Sequence, residues 1–529
     1  MTGLVTGNLA LLASSPEGIK KLRAMILEFA IQGKLTSQEA DDECATELLS
    51  RITLEKARQI ASGNHQRRKP ARCSAGKNTS AELPIGWAQA FLGELVKIST
   101  GKLDANAAVA DGKYLFFTCS KTPSRIDAYS YDTDAVLLAG NGDFNIKKYS
   151  GKFDAYQRTY VIEPIIWGID YCFIVFSAKI NEITENNRGS AVPYLKLGDI
   201  ESLPILVPPF AEQTRLVAKV NELMALCDRL EVRQQDAEAA HAKLVQALLD
   251  SLTRARDVDE FRAAWQRLAQ EFRSLFNTEA SIDALEQAIL QLAISGRIVD
   301  QQCIDEADVK VAHDCAMPKI PVRPLFDLPA HWRWGHLAEV AKVLSGYAFS
   351  SECFQSTPGT RVVKITNAGV GNFVETNDFL PGPFSEVHKN FAVRAGDLIL
   401  ALTRPYVSTG LKISKCPVSY DGALLNQRVA SIRFSSPVDT EFGFLFLRSP
   451  AVLALYKERF GRSGLQPNLK VSDVTTLPIP IAPTEEQHRI VAKVTELLAL
   501  CDQLKARIAA ARAKHAQLAE ALVAQALAA

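Results

Sequence analysis

Leu203-Pro204-Ile205-Leu206-Val207-Pro208, followed by Glu212-Gln213, returns later in the chain as Leu477-Pro478-Ile479-Pro480-Ile481-Ala482, followed by Glu486-Gln487. A long apolar seam runs on from each. The first seam is Leu216, Val220, Leu223, Cys227, Leu230, His241, Leu244 and Leu248. The second is Ile490, Val494, Leu497, Cys501, Leu504, His515, Leu518 and Leu522, related to the first by one constant offset. The alternating spacing of four and three predicts coiled-coil-like helices, each roughly 60 Å long. Histidine and cysteine at seam positions read as interface or small core residues.

Two further blocks repeat in the same order. A short helix with Ile19, Leu22, Ile26 and Phe29, then Gly33-Lys34, is matched by Ile282, Leu285, Ile289 and Leu292, then Gly296-Arg297. Its spacing is that of a helix packed lengthwise on another, and each glycine is a natural C-terminal stop. Leu83-Pro84-Ile85-Gly86-Trp87 is matched by Leu328-Pro329-Ala330-His331-Trp332.

Between these blocks lie regions rich in Gly, Pro, aromatic and β-branched residues that match each other only at their edges. Runs such as 171–178 and 398–402 read there as strands or buried segments. The chain therefore divides into an N-terminal helical segment (1–61), a linker (62–82), a first variable region (83–209), a central helical region (210–301), a linker (302–327), a second variable region (328–483) and a C-terminal helix (484–529). Phe261, Trp265, Leu268, Phe272 and Leu275 mark an extra central helix. Residues 40–61, with Leu48, Leu49, Ile52 and Leu54, have no second copy.

A long amphipathic helix cannot bury its seam alone. The central helix is followed by partner helices; the C-terminal one is not, and the N-terminal helix is the copy of the partner it lacks. The two chain ends are therefore expected to meet. The fold class is α+β: two globular domains separated by two long antiparallel coiled-coil-like helical struts, a pseudo-two-fold internal repeat.

Composition excludes several classes. Net charge is +1, too low for a tail-type nucleic-acid binder. No apolar stretch is long enough to span a membrane, and Met1–Ser15 lacks a basic secretory n-region. Ten scattered cysteines without a CxxC pair suit a reducing cytoplasm. There is no GxxxxGK[ST] loop, no HExxH, and no Asn- or Asp-Pro-Pro-Tyr to hold a flipped adenine; Pro208-Pro209-Phe210 follows Val207, which cannot hydrogen-bond the base. No catalytic or metal residues are assigned.

The ordered duplication, from short helix through LPxxW and LPIxxPP/LPIPIAP to the EQ helix, resembles the specificity subunit of type I restriction–modification systems over almost the whole chain. The resemblance implies that the variable regions are target recognition domains for a bipartite, asymmetric site in double-stranded DNA. It implies two adenine-N6 methyltransferase subunits docked on the struts, and two ATP-driven translocase–endonuclease subunits in the full complex. S-adenosylmethionine, ATP and Mg2+ would belong to those partners, with no cofactor in this chain and a prokaryotic cytoplasmic location. Leu22, Ile26, Leu216, Val220, Leu223, Leu230, Leu285, Ile289, Ile490, Val494, Leu497 and Leu504 would form the scaffold seam.

Base readout needs Arg, Lys, Asn or Gln at groove edges, and affinity needs cations on phosphates. The second region carries a charge of about +5. Its candidates are Tyr347, Arg361, Lys364, Arg404, Tyr406, Lys412, Lys415, Asn426, Gln427, Arg428, Arg459, Arg462, Gln466 and Asn468. The first region carries about −2, with Lys102, Lys121, Arg125, Lys147, Lys148, Gln157 and Arg158 as candidates. The Gln-Arg pair recurs at a corresponding place in both regions, where it suits either a guanine or a carboxylate of its own domain. Two other readings stay open: a coiled-coil adaptor that binds only protein, and a self-contained modification enzyme, which the missing motifs disfavour.

Overall fold

The computed structural model describes residues 15, 17–62, 83–185, 187–188, 192–299, 321–460 and 467–528. The first expected linker falls outside these except for residue 62, and the second except for residues 321–327. The main helices are α1 (Gly18–Ile31), α2 (Ala45–Ala61), α3 (Ile169–Glu185), α4 (Phe210–Thr253), α5 (Val258–Gln270), α6 (Glu279–Ile294), α7 (Thr440–Leu447), α8 (Pro450–Phe460) and α9 (Thr484–Ala528). The chain forms two compact units, Met1–Ala237 with Ala511–Ala529, and Glu238–Ala510, so each long helix contributes to both.

In the first unit, strands β1 (Ala88–Phe91), β2 (Val96–Thr100), β3 (Tyr114–Phe117), β4 (Ser124–Ile126), β5 (Tyr131–Ala139), β6 (Ile146–Ala155), β7 (Thr159–Pro164) and β8 (Pro204–Val207) are laid down in order. Six form a sheet in the order β2-β7-β5-β6-β3-β4, antiparallel except for β3 with β6. α3 packs between this sheet and α1. The run 171–178, open to reading as a strand or a buried segment, is a buried segment within a helix and not a strand. Sandwiched between two apolar layers, it buries Tyr171, Cys172, Ile174, Val175 and Phe176 on several sides. That removes the polar face by which a helix is recognised.

α1 buries Ile19, Leu22, Met25, Ile26 and Phe29. It stops at Gly33 (φ 71°), where Lys34 N–H reaches back to Phe29 O at 2.9 Å, a left-handed cap that favours glycine. The Lys34 ammonium then donates to Leu527 O at 3.0 Å, and Lys21 pairs with Glu520 at 2.8 Å. The start of the chain thus caps and neutralises the end of α9, a favourable place for a cation at a helix C-terminus.

The second unit repeats this junction. Gly296 (φ 70°) ends α6, Arg297 N–H bonds Leu292 O at 2.9 Å, and the Arg297 guanidinium caps the end of α4 through Ala255 O (2.6 Å) and Thr253 O (3.2 Å). An ion pair is also repeated, with its polarity reversed. Arg23 on α1 meets Asp228 and Glu231 on α4 at 2.7 and 2.9 Å; Asp283 and Glu286 on α6 meet Lys505 on α9 at 2.6 and 2.8 Å.

The second unit's strands are β9 (Arg333–His336), β10 (Ala341–Ser345), β11 (Thr360–Val363), β12 (Phe379–Leu380), β13 (Leu398–Ala401), β14 (Tyr406–Val407), β15 (Gly410–Leu411), β16 (Ile413–Lys415), β17 (Leu424–Leu425), β18 (Val429–Phe434) and β19 (Pro478–Ile481). They build a four-stranded sheet β10-β18-β13-β16, a three-stranded sheet β12-β11-β17 and the hairpin β14-β15. α7 and α8 share the core on one face of the four-stranded sheet.

The three repeated blocks meet in space. β1 pairs with β8, and β9 with β19, so the opening and closing segments of each variable region form one antiparallel ladder. The Trp87 indole N–H donates to buried Glu212 at 2.8 Å; Trp332 does the same to Glu486 at 3.0 Å. LPxxW and EQ recur together because each Trp supplies a donor that a buried carboxylate requires.

The seam differs from its expected course. Leu22, Ile26, Leu216, Val220, Leu223, Ile289, Ile490 and Val494 are buried; Leu230, Leu285, Leu497 and Leu504 are partly so. Leu244 and Leu518, however, are 52% and 50% exposed, and Val245, Leu249, Ala519 and Ala526 are buried in their place. From Cys227 to Val245, and from Cys501 to Ala519, is 18 residues. That is five turns of a straight 3.6-residue helix, whereas a heptad track drifts off it. Residues 231–240 of α4 are exposed throughout. His241 bonds Ser274 O at 3.2 Å.

α2, which lacks a second copy, is tethered through Asp42 just before it, whose carboxylate meets Arg215 at 2.5 Å. The Arg215 hydrogen bond outweighs burial and holds the Asp42 carboxyl below the usual carboxylate range. A depressed folded pKa contributes stability above the unfolded value and loses it as pH falls through the folded one. Urea melts over a descending pH series should show Asp42→Asn flattening this acid loss in the first unit. An unchanged acid limb would contradict the assignment.

Candidate nucleic-acid interface

At one end of each sheet, four loop tips are tied together by backbone hydrogen bonds, and the ties are equivalent in the two units. In the first unit, Gly101 N bonds Thr159 O (3.2 Å), Gly140 N bonds Arg158 O (2.8 Å), Leu195 N bonds Gly140 O (2.9 Å) and Gly142 N bonds Pro193 O (2.9 Å). In the second, Gly346 N bonds Val429 O (3.3 Å), Leu402 N bonds Arg428 O (2.9 Å), Leu469 N bonds Leu402 O (2.7 Å) and Arg404 N bonds Pro467 O (2.9 Å). Asn141 bridges to Tyr194 as Thr403 does to Asn468. The backbone is duplicated and the side chains it presents are not.

The tips approach so closely that glycine is required where they touch. A Cβ on Gly101 would lie 1.9 Å from Ala155 O, and one on Gly346 would lie 2.0 Å from Asn426 O. The Gln-Arg pair stands exposed on the same tip in both units, as Gln157-Arg158 and Gln427-Arg428. Lys102 is exposed beside it in the first unit. Tyr347 takes that place in the second, its ring tilted 40° against that of His388 with centroids 4.4 Å apart.

Arg404 occupies the left-handed region at φ 49°, where its counterpart Gly142 has φ 70°. A side chain pays for this conformation, and the cost recurs where function holds the residue in place. Arg404→Gly should therefore keep or slightly raise thermal stability while weakening DNA binding. Differential scanning fluorimetry with duplex titration checks both, and unchanged binding would remove Arg404 from the interface.

The remaining candidates scatter. Lys121 pairs with Asp143 (3.0 Å), and Lys147 donates to Ser120 O (2.7 Å) and Asn145, both near the first tip. Burial lowers the Lys147 pKa. Lys148 is paired with Asp170, on the side facing α3, and Arg125 bonds Gly112 O on edge strand β4. Arg361 lies over the Tyr420 ring (4.8 Å), Lys364 pairs with Asp378 (2.7 Å), and Arg459 pairs with Asp473 (3.2 Å). Lys415 sits opposite Leu398, at the far end of β13 from Arg404, paired with Glu441. Tyr406 and Lys412 are half-buried beside Arg404. Arg462 and Gln466 lie outside the described residues.

The structure adds Asn141, Tyr194 and His388 to the tips. No sequence pattern marked them, because only the ties between distant loops bring them there. Among the described residues no cluster of His, Cys, Asp and Glu is arranged to hold a metal ion, and no helix is long and apolar enough to cross a membrane.

Each unit thus carries a donor-rich tip built on the same backbone, with different side chains around a shared Gln-Arg pair. The chain matches the Type I restriction modification DNA specificity domain over residues 84–239 and 329–511, and it belongs to that family of specificity subunits. It is 30% identical to the type I restriction enzyme EcoAI specificity subunit of Escherichia coli, over 96% of this chain and 93% of that one. It is 31% identical to the EcoDI specificity subunit of the same organism, over 86% and 89%. A solved structure on complex assembly and conformational transition of the type I R-M system contains a chain 19% identical to this one, with 84% and 99% coverage and a TM-score of 0.49. Specificity subunits are non-catalytic members of their complexes.

Proposed function

We propose that each variable domain reads one half of a bipartite, asymmetric target in double-stranded DNA, with its four-loop tip in the groove. The observation that carries this reading is the shared backbone of the two tips, which hold Gln-Arg alike and differ at neighbouring positions such as Lys102 and Tyr347. Guanidinium and amide groups are the donors that guanine and adenine edges accept. Each long helix, shared by both units, would act as a strut, the two antiparallel, and would set the half-site spacing. They scaffold two adenine-N6 methyltransferase subunits and, through these, two translocase–endonuclease subunits. S-adenosylmethionine, ATP and Mg2+ act in those partners, in the cytoplasm of a prokaryote.

The test is single-molecule sequencing of adenine methylation in cells making the chain with its methyltransferase partner. Cells making the methyltransferase alone are the control. A new bipartite motif that depends on this chain is expected. A verified stable complex that methylates no motif would overturn the reading.

A further inference from the structure

A second basic feature lies on the four-stranded sheet of the second unit. Lys342 on β10 and Arg433 on β18 are direct cross-strand partners. Like charges placed so are destabilising. The corresponding pair in the first unit is Lys97 on β2 with Glu163 on β7, an ion pair of 2.8 Å. One unit neutralises this position, and the other gathers cations around it. Lys342, Lys389, Asn390, Arg394, Asp421 and Arg433 line a cavity of about 420 Å3 there.

Part of the charge is structural. Buried Asp397 accepts from Arg433 Nε and Nη2, both at 2.7 Å, and from Arg394 N–H and Ser431 Oγ, both at 2.9 Å. That grip fixes the guanidinium as a wall of the cavity. Asp421 accepts from Ala395 N–H at 2.8 Å. Lys342, Lys389 and the Arg394 side chain stand exposed around the opening. Three exposed cations beside a fixed fourth outweigh the two carboxylates, and among the described residues no aromatic ring lines the space for a base to stack on. This chemistry suits tetrahedral, singly charged phosphodiesters. The cavity approaches the recognition tip along one edge, where Lys389 follows His388, whose ring meets that of Tyr347 with centroids 4.4 Å apart, while Arg433 and Asp397 stand toward the other end of the sheet.

We infer that this cavity grips the sugar–phosphate backbone of the duplex whose bases the neighbouring tip reads, an inference that rests on the reading of that tip. Backbone contacts position a protein without reading sequence, and each releases a counterion. The second unit would then supply more of the salt-dependent affinity than the first.

The experiment compares DNA binding across a salt series for full-length chain in its methyltransferase assembly. The wild type, Lys342→Gln/Lys389→Gln, and Lys97→Gln/Glu163→Gln as a matched control are measured on target and non-target duplexes. The Lys342/Lys389 variant should lower the slope of log K against log salt by about two. It should weaken both duplexes by the same factor and leave the methylated motif unchanged, with the control at the wild-type slope. An unchanged slope, an equal loss in the control, or an altered motif would each overturn the cavity assignment while the tip reading stands. A wild-type assembly with no bipartite motif would overturn the tip reading, and the cavity assignment with it.

Discussion

Gln487→Ala is expected to destabilise the second unit by about 3–5 kcal/mol, whereas the equivalent Gln213→Ala costs about 1 kcal/mol in the first. Gln487 is wholly buried, and three backbone groups depend on it. Its amide donates to Ala482 O and Pro437 O, both at 2.8 Å, and accepts from Asp439 N–H at 2.8 Å. Alanine would leave all three groups dry and unpaired, and each such group costs about 1–3 kcal/mol. Gln213 donates once, to Pro208 O at 3.1 Å, and its own carbonyl oxygen is buried without a partner among the described residues. Removing it therefore also relieves a cost. Denaturant unfolding of the two variants measures the difference, and equal losses would show that these bonds do not set the stability of the junction.

Gly346→Ala should have the next largest effect. Its Cβ would lie 2.0 Å from Asn426 O and 2.2 Å from Asn426 C, and backbone atoms cannot swing aside as a side chain can. The tip must open, at roughly 3 kcal/mol by the standards of overpacked sites. The Gln427-Arg428 turn moves with it, so specific binding should fall far more than stability. Gly101→Ala, 1.9 Å from Ala155 O, should do the same in the first unit. Binding to target and scrambled duplexes, beside a melt, separates the two effects. Wild-type binding by Gly346→Ala would show that the close approach is not needed.

What was legible in the chain is what duplication preserved. The blocks that repeat in sequence are those that touch in space: Trp with Glu, opening strand with closing strand, and the Gly-Lys and Gly-Arg caps on the ends of the long helices. The Gln-Arg pair was visible for the same reason, since its turn is bound to both neighbouring loops in each unit. The rest failed for identifiable reasons. A heptad template follows a supercoil, and these helices keep the 3.6-residue period of a straight one, so Leu244 and Leu518 fell on the wrong face. Tyr171 to Ala178 reads as either a strand or a buried segment because a helix between two apolar layers has little polar face to show. Single lysines said least. Lys148, Lys364 and Lys415 each found a carboxylate of their own domain, while the Lys342–Arg433 cavity, built across two strands, has no contiguous signature.

Methylation maps from Arg158→Ala and Arg428→Ala, set against the wild type, show whether the two tips read opposite half-sites. Each variant is expected to lose discrimination at bases of one half-site only, by about 1–3 kcal/mol or roughly 5- to 150-fold in preference, with the two variants affecting opposite halves. Relaxation of the same half by both, or an unchanged motif in both, would contradict this.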